Sequence, residues 1–323
     1  VGRMSADRLT TGAPAAVVAL VEAVLGGAAL ETTAAAAGIA PDELDTAVQT
    51  YRAGGIAALE IRHDNAWFQA RVRPIDWATA EAVFRTRIGP QLDRLGDNRA
   101  SWWFLRKHPS WRIRIRTTDH GAVGALLDDL AAVGVIAGWD PGIYEPETAA
   151  FGGLSATAIV HELFCADSRG VLAYAGHDQP PIGRRELSLL LLRTLQHHAG
   201  LDWFEAADVF DRVAQMRPAP AATESSRVAD LAARMRPLLA LPDEARTALF
   251  APDGPLTDAC DWETAFADAG RKLGLAAASG RLGRGIRAIL AQIVIFHWNR
   301  LALPAHAQGI LAHAATTAIL PGS

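Results

Sequence analysis

The residues best suited to chemistry in this chain are arginines at strand spacing. Trp111-Arg112-Ile113-Arg114-Ile115-Arg116 alternates, so an extended backbone places Arg112, Arg114 and Arg116 on one face and Trp111, Ile113 and Ile115 on the other. Guanidinium groups about 7 Å apart repel one another unless an anion or acidic partners sit among them. The arginine fork binds two oxygens of a carboxylate or phosphate at once. The plainer alternative is an edge strand whose arginines spread into water. Next comes Phe296-His297-Trp298-Asn299-Arg300, near the end of a long apolar helix. Histidine titrates closest to neutrality, which makes His297 a candidate acid or base, although a lone histidine on an apolar helix is also an ordinary core residue.

Two further groups stand out. Tyr144-Glu145-Pro146-Glu147 precedes Phe151-Gly152-Gly153, whose paired glycines permit a backbone shape closed to other residues. His161-Glu162-Leu163-Phe164-Cys165-Ala166-Asp167-Ser168 lacks the second histidine of a zinc-protease helix, so metal chemistry is not expected. Asp167 and Ser168 suit a helix cap as well as a substrate contact. No phosphate loop, dinucleotide fingerprint or G-x-S-x-G elbow is present, and Gly280-Arg281-Leu282-Gly283-Arg284-Gly285 reads as a helix junction. No nicotinamide, flavin or metal cofactor is therefore expected.

The 323 residues carry a net charge of -4, which argues against a surface devoted to DNA. The charge is uneven. Residues 1–60 hold three Arg against seven acids, whereas residues 61–116 hold eleven Arg and one Lys against five. A basic block in an acidic chain suggests a local anion site. Two cysteines, Cys165 and Cys260, cannot build a disulfide scaffold and suit a reducing cytoplasm. Residues 13–30 are almost wholly apolar, but Glu22 and Gly26-Gly27 interrupt them, which favours a buried core helix over a signal peptide or membrane span.

The elements that must position these groups follow from periodicity and breakers. Residues 13–60 read as helices, with a second helix from Pro41-Asp42-Glu43 through Leu44, Val48 and Tyr51 to a stop at Gly54-Gly55. Helix, turn, helix and then strands resembles a winged-helix module over residues 1–62. From residue 63 the order is strand (66–73), helix (77–95), strands (102–106 and 111–116), helix (121–133) and strand (135–144). That order predicts a ferredoxin-like split βαβ sheet. Helices are predicted at 155–175, 183–199, 203–215, 224–240, 261–278 and 281–300. The expected class is α+β, with residues 63–323 forming one domain with a large C-terminal helical part.

Taken in order, Trp102-Trp103-Phe104-Leu105-Arg106, the arginine strand, Tyr144-Glu145-Pro146-Glu147 with Phe151-Gly152-Gly153, Glu162-Leu163-Phe164 with Asp167-Ser168, and His297-Trp298-Asn299-Arg300 resemble the thiopeptide-type bacteriocin biosynthesis family. The same domain forms the C-terminal part of lantibiotic dehydratases. The resemblance runs from about 64 to 320. It implies tailoring of ribosomally made, leader-bearing peptides, either by eliminating glutamate from glutamylated Ser or Thr to leave dehydroamino acids, or by a formal [4+2] cycloaddition that builds a pyridine ring and expels the leader. A non-catalytic leader-binding role is a third reading.

By that resemblance Arg114, Arg116 and His297 are the catalytic candidates. Arg106, Arg112, Trp103, Tyr144, Asp167, Ser168, Asn299 and Arg300 are the substrate-binding candidates. Eliminating members carry Arg where this chain has Ala150, with Arg106 or Arg112 as replacements for that cation. The implied partners are a leader-bearing precursor peptide and a separate tRNA-dependent glutamylating dehydratase subunit. DNA and membrane are not among them, and a homodimer is left open.

Overall fold

The computed structural model describes residues 14–64, 67–95 and 101–320. Contacts divide the chain into two units, residues 1–65 and 66–323. In the first, α1 (Pro14–Leu25), α2 (Leu30–Ala37) and α3 (Pro41–Asp64) enclose a small core of Val21, Ala34, Leu44 and Val48. Gly38 ends α2 in the left-handed conformation, where a Cβ is unwelcome. Gly54 and Gly55 end nothing: α3 runs on to Asp64, and neither glycine takes the positive φ of a helix stop. No strand occurs among residues 14–64, so the winged-helix expectation finds no wing there. The strands that suggested one pair within the second unit. Nor is α1 a buried core helix, since Val21 alone of its described residues is buried, while Val18 and Leu25 are exposed.

The second unit is mostly helical and holds one four-stranded antiparallel sheet. Its strands are β1 (Trp67–Arg73), β2 (Ser101–Lys107), β3 (Ser110–Arg116) and β4 (Gly138–Gly142), in the order β2-β3-β1-β4. Between β1 and β2 run α4 (Ala80–Val83), a π-helical turn (Phe84–Ile88) and α5 (Gly89–Leu92), a shorter and less regular path than one helix over 77–95. Between β3 and β4 lies α6 (His120–Ala132), capped by Asp119. The chain continues through α7 (Leu154–Tyr174), α8 (Arg184–His198), α9 (Trp203–Gln215), α10 (Ser225–Leu239), α11 (Asp243–Phe250), α12 (Cys260–Ala278), α13 (Ile286–Arg300) and α14 (Ala305–Ile319). Residues 281–285 form the connection into α13, as their glycines suggested, so the helix predicted over 281–300 starts at Ile286. Among the described residues no helix is long and apolar enough to cross a membrane.

The register assigns the two sheet faces. One carries Phe68, Ala70, Val72, Trp111, Ile113, Ile115, Trp102 and Phe104. It is covered by the π turn, where Phe84 stacks on Trp111 at 4.9 Å, and by α6. The other face pairs Arg114 with Gln69 on one side and Trp103 on the other, and α7 and α13 cover it through Phe164 and Phe296. Helices thus cover both sides of the sheet, and the middle of its polar face, at Gln69, Trp103 and Arg114, meets protein, while Arg71 and Arg116 are exposed.

Candidate functional site

As the alternation requires, Arg112, Arg114 and Arg116 share one face of β3, but each meets a different environment. Arg116 is exposed at one end of the strand, Arg112 is half-buried at the other, and Arg114 between them is 6% exposed. Arg114 lies over the Trp103 ring at 4.2 Å and the Tyr144 ring at 5.1 Å. Its Nε donates to Gln69 Oε1 at 3.0 Å, and Gln69 in turn donates to the Ile143 carbonyl at 2.8 Å, which fixes the amide orientation. Nη1 of Arg114 has no hydrogen-bond partner among the described residues. Burial pushes this guanidinium down to about 10. A cation placed on aromatic faces and a neutral acceptor, with a donor left over, is arranged to receive an anion.

Arg112 and Arg114 open on a cleft of about 580 Å³ between the sheet and helices α13 and α14. Lys107, His108 and Arg217 add basic groups, Leu105, Ile295, Phe296 and Leu303 supply apolar surface, and Glu147 is the one carboxylate among the lining residues. Arg116 is not part of this lining. Neither are Trp103 and Tyr144, which lie beneath Arg114 as its platform. The Tyr144 hydroxyl is 2.6 Å from His161 Nε2, and both side chains are buried. Among the described residues no group of three or more side chains suited to metal binding occurs.

The helix motif goes elsewhere. His297 is fully buried, with Nδ1 2.8 Å from Asp167 Oδ1 and Nε2 2.9 Å from Ser188 Oγ. Arg300, one turn along, donates from Nε to Asp167 Oδ2 at 2.5 Å and lies over the Phe164 ring. Trp262 donates to Asp167 as well, and Trp298 to Ser188. Burial alone would raise the Asp167 carboxyl; the charges and hydrogen bonds of His297 and Arg300 outweigh it and hold the group below the usual carboxylate range. With both ring nitrogens engaged and no exposed surface, His297, the candidate acid or base, faces Asp167 and Ser188 and is not part of the cleft lining. Cys165 nearby is pushed up to about 12 by burial, which leaves an inert thiol.

Ser168 and Asn299 also have structural work. Ser168 Oγ accepts the Phe104 N–H at 3.2 Å, while Asn299 accepts the Arg106 N–H at 2.8 Å and donates to the Arg106 carbonyl at 2.9 Å. Both side chains satisfy the free edge of β2, and Asn299 does so from the cleft wall. The Arg106 guanidinium turns to the opposite face, where it pairs with Glu81, itself shared with Arg184. It is not available to replace a cation at Ala150. The group nearest that position is Arg284, whose Nη1 donates to the Ala150 carbonyl at 3.1 Å. Gly152 lets this junction close, since a Cβ there would lie 2.7 Å from Ile289 at a φ of +80°.

Gln69, His108, Arg217 and Gln308 were not among the residues singled out from the sequence, and Glu147 stood there only as part of the Tyr144-Glu145-Pro146-Glu147 motif. Gln69 left a trace, a polar residue facing inward on an apolar strand. Arg217, in a proline-rich loop, left none.

A family model described as the C-terminal part of the lantibiotic biosynthesis dehydratase matches residues 67–319. No curated protein matches the chain. Among solved structures, the tRNA-dependent lantibiotic dehydratase MibB from Microbispora sp. 107891 is similar, with a TM-score of 0.53 and 18% identity over 78% of this chain; the match spans 28% of the MibB chain. The pyridine synthase TbtD from thiomuracin biosynthesis is similar with a TM-score of 0.54 and 16% identity, over 79% of this chain and 97% of that one. At these identities the likeness is one of fold.

Proposed function

The chain belongs to the lantibiotic biosynthesis dehydratase C-terminal family, and from that premise we propose that it eliminates glutamate from glutamylated Ser or Thr in a leader-bearing precursor peptide. A base takes the α-proton of the Ser or Thr residue, the Cβ–O bond breaks, and glutamate departs as the carboxylate that formed the ester, leaving a dehydroamino acid. The observation that carries this reading is the pair Arg112 and Arg114, which line a peptide-sized cleft and have no acid in hydrogen-bond or ion-pair contact among the described residues. Charge developing on the leaving carboxylate would be met there by donors already in place. The base is assigned to a group that faces the cleft, His108 or Glu147, in place of His297. The glutamylating step belongs to a separate tRNA-dependent subunit.

A second reading is the formal [4+2] pyridine synthesis. Ala150 favours it, because the turn before Gly152-Gly153 lacks the arginine that the elimination reading expects. The alignment over 97% of a pyridine synthase agrees. One experiment separates the two. Given a glutamylated, leader-bearing precursor, the protein should release free glutamate and leave a dehydroamino acid, as read by mass spectrometry. Reaction only of a precursor already carrying two dehydroalanines, with loss of the leader, replaces elimination by cycloaddition. Binding of leader without change to either substrate makes the chain an accessory subunit.

A further inference from the structure

Arg217 lines the same cleft as Arg112 and Arg114 but comes from the connection after α9, far from the sheet in sequence. It is held as deliberately as Arg114. Its Nε donates to Gln308 Oε1 at 2.7 Å and its Nη1 to the Met216 carbonyl at 2.9 Å. Gln308 is buried, and its own amide nitrogen donates to the Leu303 carbonyl at 2.8 Å, so its oxygen is committed to Arg217. The loop can lie this close to α14 because residue 309 is glycine: a Cβ there would stand 2.2 Å from the Pro218 carbonyl oxygen. Burial lowers the Arg217 pKa, and no acid is paired with it among the described residues. Its partners are neutral, and much of its five-donor fork remains to be used.

We infer that Arg217 is a second anion-binding arm of the cleft, and that the ligand carries two carboxylates, one for Arg112 and Arg114 on the sheet wall and one for Arg217 on the helical wall. Leu105, Ile295, Phe296 and Leu303 lie among these cations in the lining, which suits a short hydrocarbon spacer. A ligand with one carboxylate satisfies one wall and leaves the cation of the other wall without an anion. The inference rests on the elimination reading only for the identity of the dicarboxylate as the departing glutamate; the two-armed anion site stands on the cleft itself.

The test uses the whole chain and two probes, glutarate with two carboxylates and butyrate with one, titrated by calorimetry. Wild type should bind glutarate at least tenfold more tightly than butyrate, since a charge-assisted bond contributes about 1.5–3 kcal/mol and 1.4 kcal/mol is tenfold. Arg217→Gln should bring glutarate down to the butyrate level and leave butyrate unchanged, and Arg217→Lys should recover part of the difference. Melting temperatures of all variants beside wild type report whether the loop stays folded. Equal glutarate binding by wild type and a folded Arg217→Gln overturns the inference, and so does an equal loss for both probes. The outcome is separable from the elimination assay: glutamate release without an Arg217 effect rejects only the second arm, and two-armed glutarate binding without glutamate release rejects only elimination.

Discussion

Arg300 and Arg114 are both buried guanidinium groups in the same unit, yet Arg300 meets Asp167 while Arg114 meets only Gln69 and two aromatic rings. Around Asp167 the charges close on themselves. Arg300 neutralises the carboxylate, His297 and Trp262 hydrogen-bond to it, and none of the Asp167, His297 or Arg300 side chains reaches solvent. Around Arg114 the cations are left open, because among the described residues the one carboxylate lining the cleft is the exposed Glu147. The first region uses charge to fix two helices to one another. The second keeps charge uncompensated in a low-dielectric wall, which costs stability and leaves strong donors for a ligand.

Substitutions that remove one partner should separate the regions most sharply. Asp167→Asn leaves the buried Arg300 without its counter-charge and should cost about 3–5 kcal/mol, read as a lower urea midpoint. The pH dependence has a defined sign. A carboxyl held below its ordinary range in the folded state contributes stability above about pH 4, and that contribution is lost as pH falls through the folded value. Wild type should therefore lose stability on acidification, and Asp167→Asn should show a shallower acid slope. Parallel slopes would mean that the carboxylate is not where the compensation lies.

Arg114→Leu should do the reverse. Relieving an uncompensated buried cation should leave stability unchanged or raise it, while turnover falls about tenfold or more for a lost interaction of about 1.5–3 kcal/mol. A mutant as active as wild type, or one that unfolds, would place Arg114 with Arg300 among the structural arginines. Salt gives the smallest contrast. Raising ionic strength from about 0.1 to 1 M shortens the screening length from about 10 to 3 Å. Anion binding in the open cleft should weaken several-fold, whereas the acid slope due to Asp167 should not move. Equal sensitivity of the two would dissolve the distinction.

What the sequence showed and what it hid follow the same division. Local periodicity placed the β3 arginines on one face, and the five helices predicted between 155 and 278 fell within a residue or so of the observed ends, whereas α11 (Asp243–Phe250) and α14 (Ala305–Ile319) were not expected. The cleft was not legible, because its parts join across long separations: Arg114 with Gln69 is 45 residues apart, and Arg217 with Gln308 is 91. No spacing rule connects such positions. The surroundings of His297 were hidden for a related reason. His297 and Arg300 lie one helical turn apart, so both side chains reach the same place, and a shared buried acid was the physical alternative to a catalytic pair. The acid lies 130 residues away on α7. The broken path between β1 and β2 was also hidden, since a π turn carries no simple signature of its own.

The amide of Asn299 and the hydroxyl of Ser168 matter beyond the cleft. An outer strand with free backbone donors and acceptors is a template on which another polypeptide can add itself. On β2 these groups are taken up by side chains from α13 and α7. The opposite margin of the sheet, β4, is five residues long and is interrupted by Pro141 between Gly138 and Gly142. Neither border offers a long, flat row of free peptide groups. Both borders of the sheet are thereby poor templates for a further strand.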